Sequence, residues 1–267
     1  QCEDPPPLGL CLRCPRDGRR GCALVDWLPR PERREQTHFL SWAWAYRLSE
    51  VRSALHMYQV STHPPVRTEK VFFFMCFFVN NQFRIIVERS MAGSNVLGEV
   101  FKSNLTRLNR VVAILDTWRD PIYLSRVWTI YEQFLASKEQ VPVTFTMPFS
   151  ANESLQQQIS RGEVGIWEIT QSVSCIDAQN AIAYDPKDEE EVKRAIQETS
   201  TFEQVNKHVT DVMARWIGEV VSLQFQQLIS VARESRAEGA VVVPSRLEGA
   251  ASCESLPLSS GSEGICV

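Results

Sequence analysis

Between His38 and Met147, short apolar segments alternate with helical stretches, and this alternation restricts the chain to an α/β architecture with a parallel sheet. His38–Trp42 (HFLSW) is the first strand candidate. Arg47–Tyr58 then sets Leu48, Val51, Leu55 and Tyr58 on one helical face. Val71–Val79 (VFFFMCFFV) is uniformly apolar and predicts a central strand covered on both faces. Ser94–Asn109 predicts a helix capped by Ser94, with Leu97, Val100, Phe101, Leu105 and Leu108 as its stripe. Val111–Leu115 is a third strand. Ser125–Ser137 is a helix with Val127, Trp128, Tyr131 and Leu135 on one side. Val141–Met147 is a fourth strand, whose early Pro142 points to a strand start or an edge. Glu153–Ile159 begins another helix, and Ile169–Ile176 is a weaker fifth strand.

The flanks differ in composition. Residues 1–36 hold six of the fourteen prolines and predict a mostly irregular leader. The α/β domain is expected over 37–177 and a helical extension packed on it over 178–235. Within that extension Asp188 with Glu191, and Thr201 with Gln204, resemble capping boxes. The second opens a long helix carrying Val205, Val209, Val212, Trp216, Val220 and Leu223, which suits packing on the domain or, alternatively, binding a partner. Residues 236–267, rich in Ser, Gly, Glu and Ala, are expected to be a disordered tail.

Several functions are disfavoured. The net charge is −4, with no clustered basic surface to expect, so nucleic acid is not a predicted partner. The nine-residue apolar run is too short for a membrane span, which needs roughly 20 residues. No signal peptide is visible, and because the sequence begins with Gln it is expected to be a fragment or a processed product. Of eight cysteines, Cys2, Cys11, Cys14 and Cys22 crowd the leader with a single C-x2-C pair. Unpaired thiols are expected there, with no metal site. Cys76, inside the apolar run, is expected to be a buried, inert thiol. The uneven cysteine spread predicts a reducing, cytoplasmic setting. P-loop, Rossmann and hydrolase-elbow motifs are absent. Asp116 stands where a phosphoreceiver keeps its acceptor, but Ser-Trp-Ala-Trp replaces the acidic residues such a site needs.

Open α/β sheets bind ligands beyond the carboxyl ends of their strands. Here those ends carry Ser41, Trp42, Trp44 and Tyr46; Asn80, Asn81 and Gln82; and Asp116, Thr117, Trp118, Arg119 and Asp120. Thr37–Tyr46 (THFLSWAWAY), Val111–Trp118 (VVAILDTW) and Pro121–Glu132 (PIYLSRVWTIYE), taken in order, resemble the Toll/interleukin-1 receptor (TIR) superfamily. The likeness is to its divergent members in large proteins of microbial eukaryotes, and it runs over roughly residues 36–221. It implies a flavodoxin-like, doubly wound parallel sheet of about five strands with a C-terminal helical extension.

The resemblance implies two functions. One is an intracellular signalling and assembly module, pairing with other TIR-like domains or with itself through the loop Asn80, Asn81, Gln82 and Phe83. The other is an NAD glycohydrolase in which Glu132, of the Trp-x-x-x-Glu pattern, steadies the oxocarbenium-like centre as nicotinamide leaves. NAD would then be substrate, with no cofactor implied. Ser41, Trp42, Trp44, Asp116, Trp118, Arg119 and Trp128 would form the nucleotide site, the tryptophans by stacking. Each tryptophan taken alone suits core or rim packing better than stacking. Ser41 equally suits capping of the next turn, and Arg119 a bridge to Asp116 or Asp120. Glu132 has no Lys or Arg one helical turn away, so a surface ion pair does not account for it.

Overall fold

The computed structural model describes residues 11–62, 66–86 and 93–239, the side chains of 86, 93–100 and 235–239 excepted. The leader's first ten residues, with Cys2, and most of the predicted tail lie outside the described residues. So do the Ser94 cap and the Leu97 and Val100 part of its helix stripe. The chain divides into two units, Gln1–Gln224 and Phe225–Val267.

In the first unit, β1 (His38–Ser41), β2 (Phe73–Phe74), β3 (Val111–Ile114) and β4 (Val143–Thr146) form one parallel sheet in the order β2-β1-β3-β4. This order is compatible with a flavodoxin-like fold, with the topological switch between β1 and β3. The helices, in chain order, are α1 (Leu24–Trp27), α2 (Leu48–Ser61), α3 (Cys76–Val79), α4 (Gln82–Ile86), α5 (Gly93–Leu108), α6 (Val127–Lys138), α7 (Phe149–Ile159), α8 (Glu163–Ser174), α9 (Pro186–Thr199) and α10 (Phe202–Gly239).

Strand residues alternate between two cores, as the two-residue period of a strand requires. Leu40, Val112 and Ile114 pack with Val51, Ala54 and Tyr58 of α2. Phe39, Val111 and Ala113 face the larger core, which takes in Leu105 of α5, Ile130 and Phe134 of α6, Ile196 of α9 and Val209 and Met213 of α10. The sheet is therefore covered on both faces, which explains why β1 and β3 read as continuous apolar runs. The Thr201–Gln204 box forms in both directions and starts α10. The cap of α9 is Asp185, whose carboxylate accepts from the Lys187 N–H, in place of the expected Asp188. In the second unit, residues 225–239 are helical and Phe225, Leu228, Ile229 and Val231 are exposed.

Two strand expectations are corrected. Ile169–Ile176 is not a fifth strand: Ile169 to Ser174 belong to α8, which buries Gly165, Ile169 and Val173 at a spacing of four. The described sheet thus has four strands. Val71–Val79 is not a central strand: only Phe73 and Phe74 pair, at the edge, and Cys76–Val79 turns into helix. Phe73 and Met75 pack with the smaller core, Phe74, Cys76 and Val79 with the larger, and α1 of the leader packs on α3. Residues 11–36 are more ordered than an irregular leader implies. Cys14, Ala23 and Asp26 are buried, and Cys14 N–H donates to Arg19 O while Gly21 N–H donates to Leu12 O, closing a small hairpin.

Candidate active site

Ser41 is the last residue of β1, and its hydroxyl is fully buried at the carboxyl end of the sheet. It donates to Oε2 of Glu132, on the second turn of α6. The Ser41 oxygen also contacts the Tyr123 hydroxyl, which in turn accepts from Gln133 Nε2 at 2.6 Å. Four side chains from β1, the turn after β3 and α6 therefore meet at the β1/β3 switch.

Local structure explains how Tyr123 reaches this point. Pro121 leads into a 3-10 turn over Ile122–Ser125. Asp116, just past β3, accepts from Ile122 N–H at 3.0 Å and from the Tyr46 hydroxyl at 3.3 Å. Thr129 donates to the Tyr123 carbonyl from the first turn of α6. Burial raises the Asp116 carboxyl, against the pull of these hydrogen bonds. Asp116 acts here as the anchor of the turn that carries Tyr123.

Desolvation pushes the Glu132 carboxyl up to about 8, and only the Ser41 hydrogen bond opposes it. The residue nevertheless keeps some accessible surface. These facts describe different sides of one group. Oε2 is enclosed by its partners, whereas Oε1 has no protein hydrogen bond and is not among the side-chain atoms buried without one. Cys76, half-buried at the start of α3, faces the same carboxylate. Burial, and then the Glu132 charge, raise its thiol, while the Trp44 side chain pulls the other way.

The other sequence candidates divide. Trp42 is partly buried beside the smaller core, with its indole Nε1 buried and turned toward the Cys76 thiol. Trp44 is exposed and meets Phe77 edge-on at 6.0 Å. Both side chains reach the Cys76 thiol, on which the Glu132 charge also acts. Trp118 is buried, donates to Ser154 Oγ at 3.0 Å, and carries Arg119 over its ring at 4.8 Å. Arg119 pairs with Glu168 of α8 at 3.7 Å, not with Asp116 or Asp120. Trp128 packs against Phe101 of α5 and Tyr131, and its indole N–H offsets part of the burial that raises the Asp188 carboxyl of α9, so its contacts lie in the helical layer.

The loop Asn80–Phe83 is occupied within the chain. Asn81 Oδ1 caps α4 at the Arg84 N–H, and Gln82 Nε2 donates to the Cys76 and Phe77 carbonyls. Arg84 forks onto Asp17 of the leader at 2.7 and 2.8 Å, and Gly21 lies directly against Phe83 and Asn81. Tyr123, Gln133 and Cys76 were not singled out as site residues by the sequence. Uncharged Tyr and Gln carry no pattern of their own. The available hint was Gln133 next to Glu132 on a helix whose inner face is apolar apart from Gln133 and Thr129.

Among the described residues no cluster of three His, Cys, Asp or Glu side chains suits a metal ion, and no helix is long and apolar enough to cross a membrane. Comparison of the chain with family models, with curated proteins and with solved structures finds no match.

Proposed function

We propose that this chain is a TIR-like domain that hydrolyses the nicotinamide–ribose bond of NAD, with Glu132 as the key carboxylate. The observation that carries the reading is the placement of Glu132. A desolvated carboxyl with one oxygen open stands beside Ser41 at the switch point of a parallel sheet, where such folds bind ligands. Trp44 offers an exposed ring on which a ligand base could stack.

The chemistry balances with water as the second substrate. The bond between ribose C1′ and the pyridinium nitrogen breaks, and its electron pair leaves with nicotinamide. Positive charge develops on the ribosyl ring, and the Glu132 carboxylate stabilises it. Water adds at C1′ and a proton is released, giving ADP-ribose. A cationic nicotinamide beside Glu132 favours the ionised carboxylate, opposing the desolvation that raises it in the free protein.

The test is incubation of the chain with a fluorogenic NAD analogue, alongside Glu132→Ala. Turnover that falls to background in the variant is expected. No turnover by the parent at any protein concentration, or turnover untouched by the substitution, overturns the proposal.

An assembly module is the second reading, favoured by the exposed Phe149, Val164 and Trp167 of α7 and α8. Under it, the Asn80–Phe83 loop would pair only after losing its leader contacts. Light scattering over a concentration series tests this; a strict monomer throughout counts against it.

A further inference from the structure

When Glu132 is ionised, the hydrogen-bond chain at its site has a direction fixed by counting protons. Ser41, Tyr123 and Gln133 are all buried with essentially no exposed surface, so no solvent can complete their hydrogen bonds. Ser41 donates its one proton to Glu132 Oε2. The close contact between the Ser41 and Tyr123 oxygens then needs a proton between them, and Tyr123 must supply it. Gln133 Nε2 completes the chain by donating to the Tyr123 oxygen. Burial, and then the Glu132 charge, hold the Tyr123 phenol far above its usual range, so it remains a donor.

The reverse direction is worse. It would need the Gln133 amide turned so that its oxygen accepts from Tyr123. It would also spend the one Ser41 proton on Tyr123 and leave none for the ionised Glu132 Oε2, while the Gln133 amide keeps two unpaired groups either way, Oε1 and one N–H at present and both N–H groups when turned. The titratable groups facing Glu132 are Tyr123, from the turn after β3, and Cys76, from α3. No cationic side chain contributes to its shift among the described residues.

We propose that Tyr123 is the positioning residue of the Glu132 site: oriented by Gln133, it commits the Ser41 proton to Oε2 and leaves Oε1 as the atom that gains and loses the titrating proton. The relay rests on the Glu132 reading for its purpose but not for its geometry. It also gives Ser41 a single job. Its hydroxyl is a fixed donor to the carboxylate and is not free to bind a ribose or phosphate.

The experiment follows the Glu132 carboxyl by NMR in the full chain labelled with 13C-glutamate, the resonance being assigned with Glu132→Gln. Titrations compare the parent, Ser41→Ala, Tyr123→Phe and the double variant. Tyr123→Phe is expected to raise the midpoint by about half a pH unit, consistent with the loss of one hydrogen bond acting at second hand. Ser41→Ala should raise it further, and Tyr123→Phe should add nothing on the Ser41→Ala background. If Tyr123→Phe does not fold, 3-fluorotyrosine placed at 123 keeps the ring and strengthens the donor, so the midpoint should fall. A midpoint unmoved by either change at 123, or an equal shift with and without Ser41, overturns the relay. NAD turnover plays no part in this readout, so failure of the glycohydrolase proposal leaves the test intact.

Discussion

Ser41 and Glu132 are 91 residues apart in sequence, yet the hydroxyl of one donates directly to the carboxylate of the other. β1 delivers the serine and α6 the acid, so the pair exists only when the sheet and the helix after β3 are both in place. If Glu132 works as a carboxylate, kcat/KM for NAD should rise with pH through a midpoint near 8, the value to which burial lifts the free group. The rise reports the free protein, because kcat/KM follows groups of the unliganded state. A profile flat between pH 6 and 9 in the chain as it exists (those limits bracket about 8) would count against Glu132 as the titrating group.

Stability should carry the mark of the same group, with the opposite sign from an ordinary acid. The folded protein holds the Glu132 proton more tightly than the unfolded chain, about 8 against 4.5. Its contribution is therefore fully present below pH 4.5 and is lost as pH rises to 8. At ~1.4 kcal/mol per pH unit the loss is at most about 5 kcal/mol, and the open Oε1 side reduces it. Glu132→Gln removes this titration. Urea unfolding should find the variant more stable than the parent above pH 8, with the gap closing toward acid.

His38 should act at the acid end. It is buried on β1, its Nδ1 meets Thr37 Oγ1 at 2.8 Å, and its Nε2 has no partner. Burial, and then the Arg110 charge, depress it below 6.5. A depressed base contributes stability that is present above 6.5 and lost as pH falls. His38→Gln should flatten the decline in melting temperature between pH 6.5 and 5, whatever its effect at neutral pH.

Gly21 fixes the leader to the segment after β2. Its φ is +71°, and a Cβ there would lie 2.5 Å from Phe83 Cδ1 and 2.9 Å from Asn81 Oδ1. Gly21→Ala adds left-handed strain to a clash, together about 2–4 kcal/mol. Hydrogen exchange should quicken over Cys76–Ile85 before it does over β1 or β3. Asp17→Ala, which removes the fork to Arg84, should quicken the same segment with a smaller change in melting temperature.

Much of the sheet was legible because β3 is an uninterrupted apolar run, and β1 and β4 are short strand-forming segments rich in aromatic and β-branched residues, all beside helices with clear stripes. The errors have physical causes. Ile169–Ile176 carries β-branched residues that suit a strand when read alone, and it is the buried series Gly165, Ile169 and Val173 that shows the helical spacing of four. The Val71–Val79 run resembles a central strand because it is apolar throughout, yet it leaves the sheet after Phe74, and its helical end packs on α1, some fifty residues away, which local periodicity cannot register. At the site, Glu132 and Ser41 stood out through motif order. Tyr123 and Gln133 did not, because an uncharged hydrogen-bond chain depends on three-dimensional placement and on no fixed spacing.

The two-residue β2 has a consequence for how copies of this chain can meet. A long outer strand offers a row of unpaired backbone groups on which a second sheet can grow. Here the backbone pairs only at Phe73 and Phe74 and then curls into α3, close to the Glu132 rim. Beyond Phe74 that margin presents no ladder for another backbone to join. Contact between copies there has to be built from side chains, where sequence sets both its strength and its selectivity.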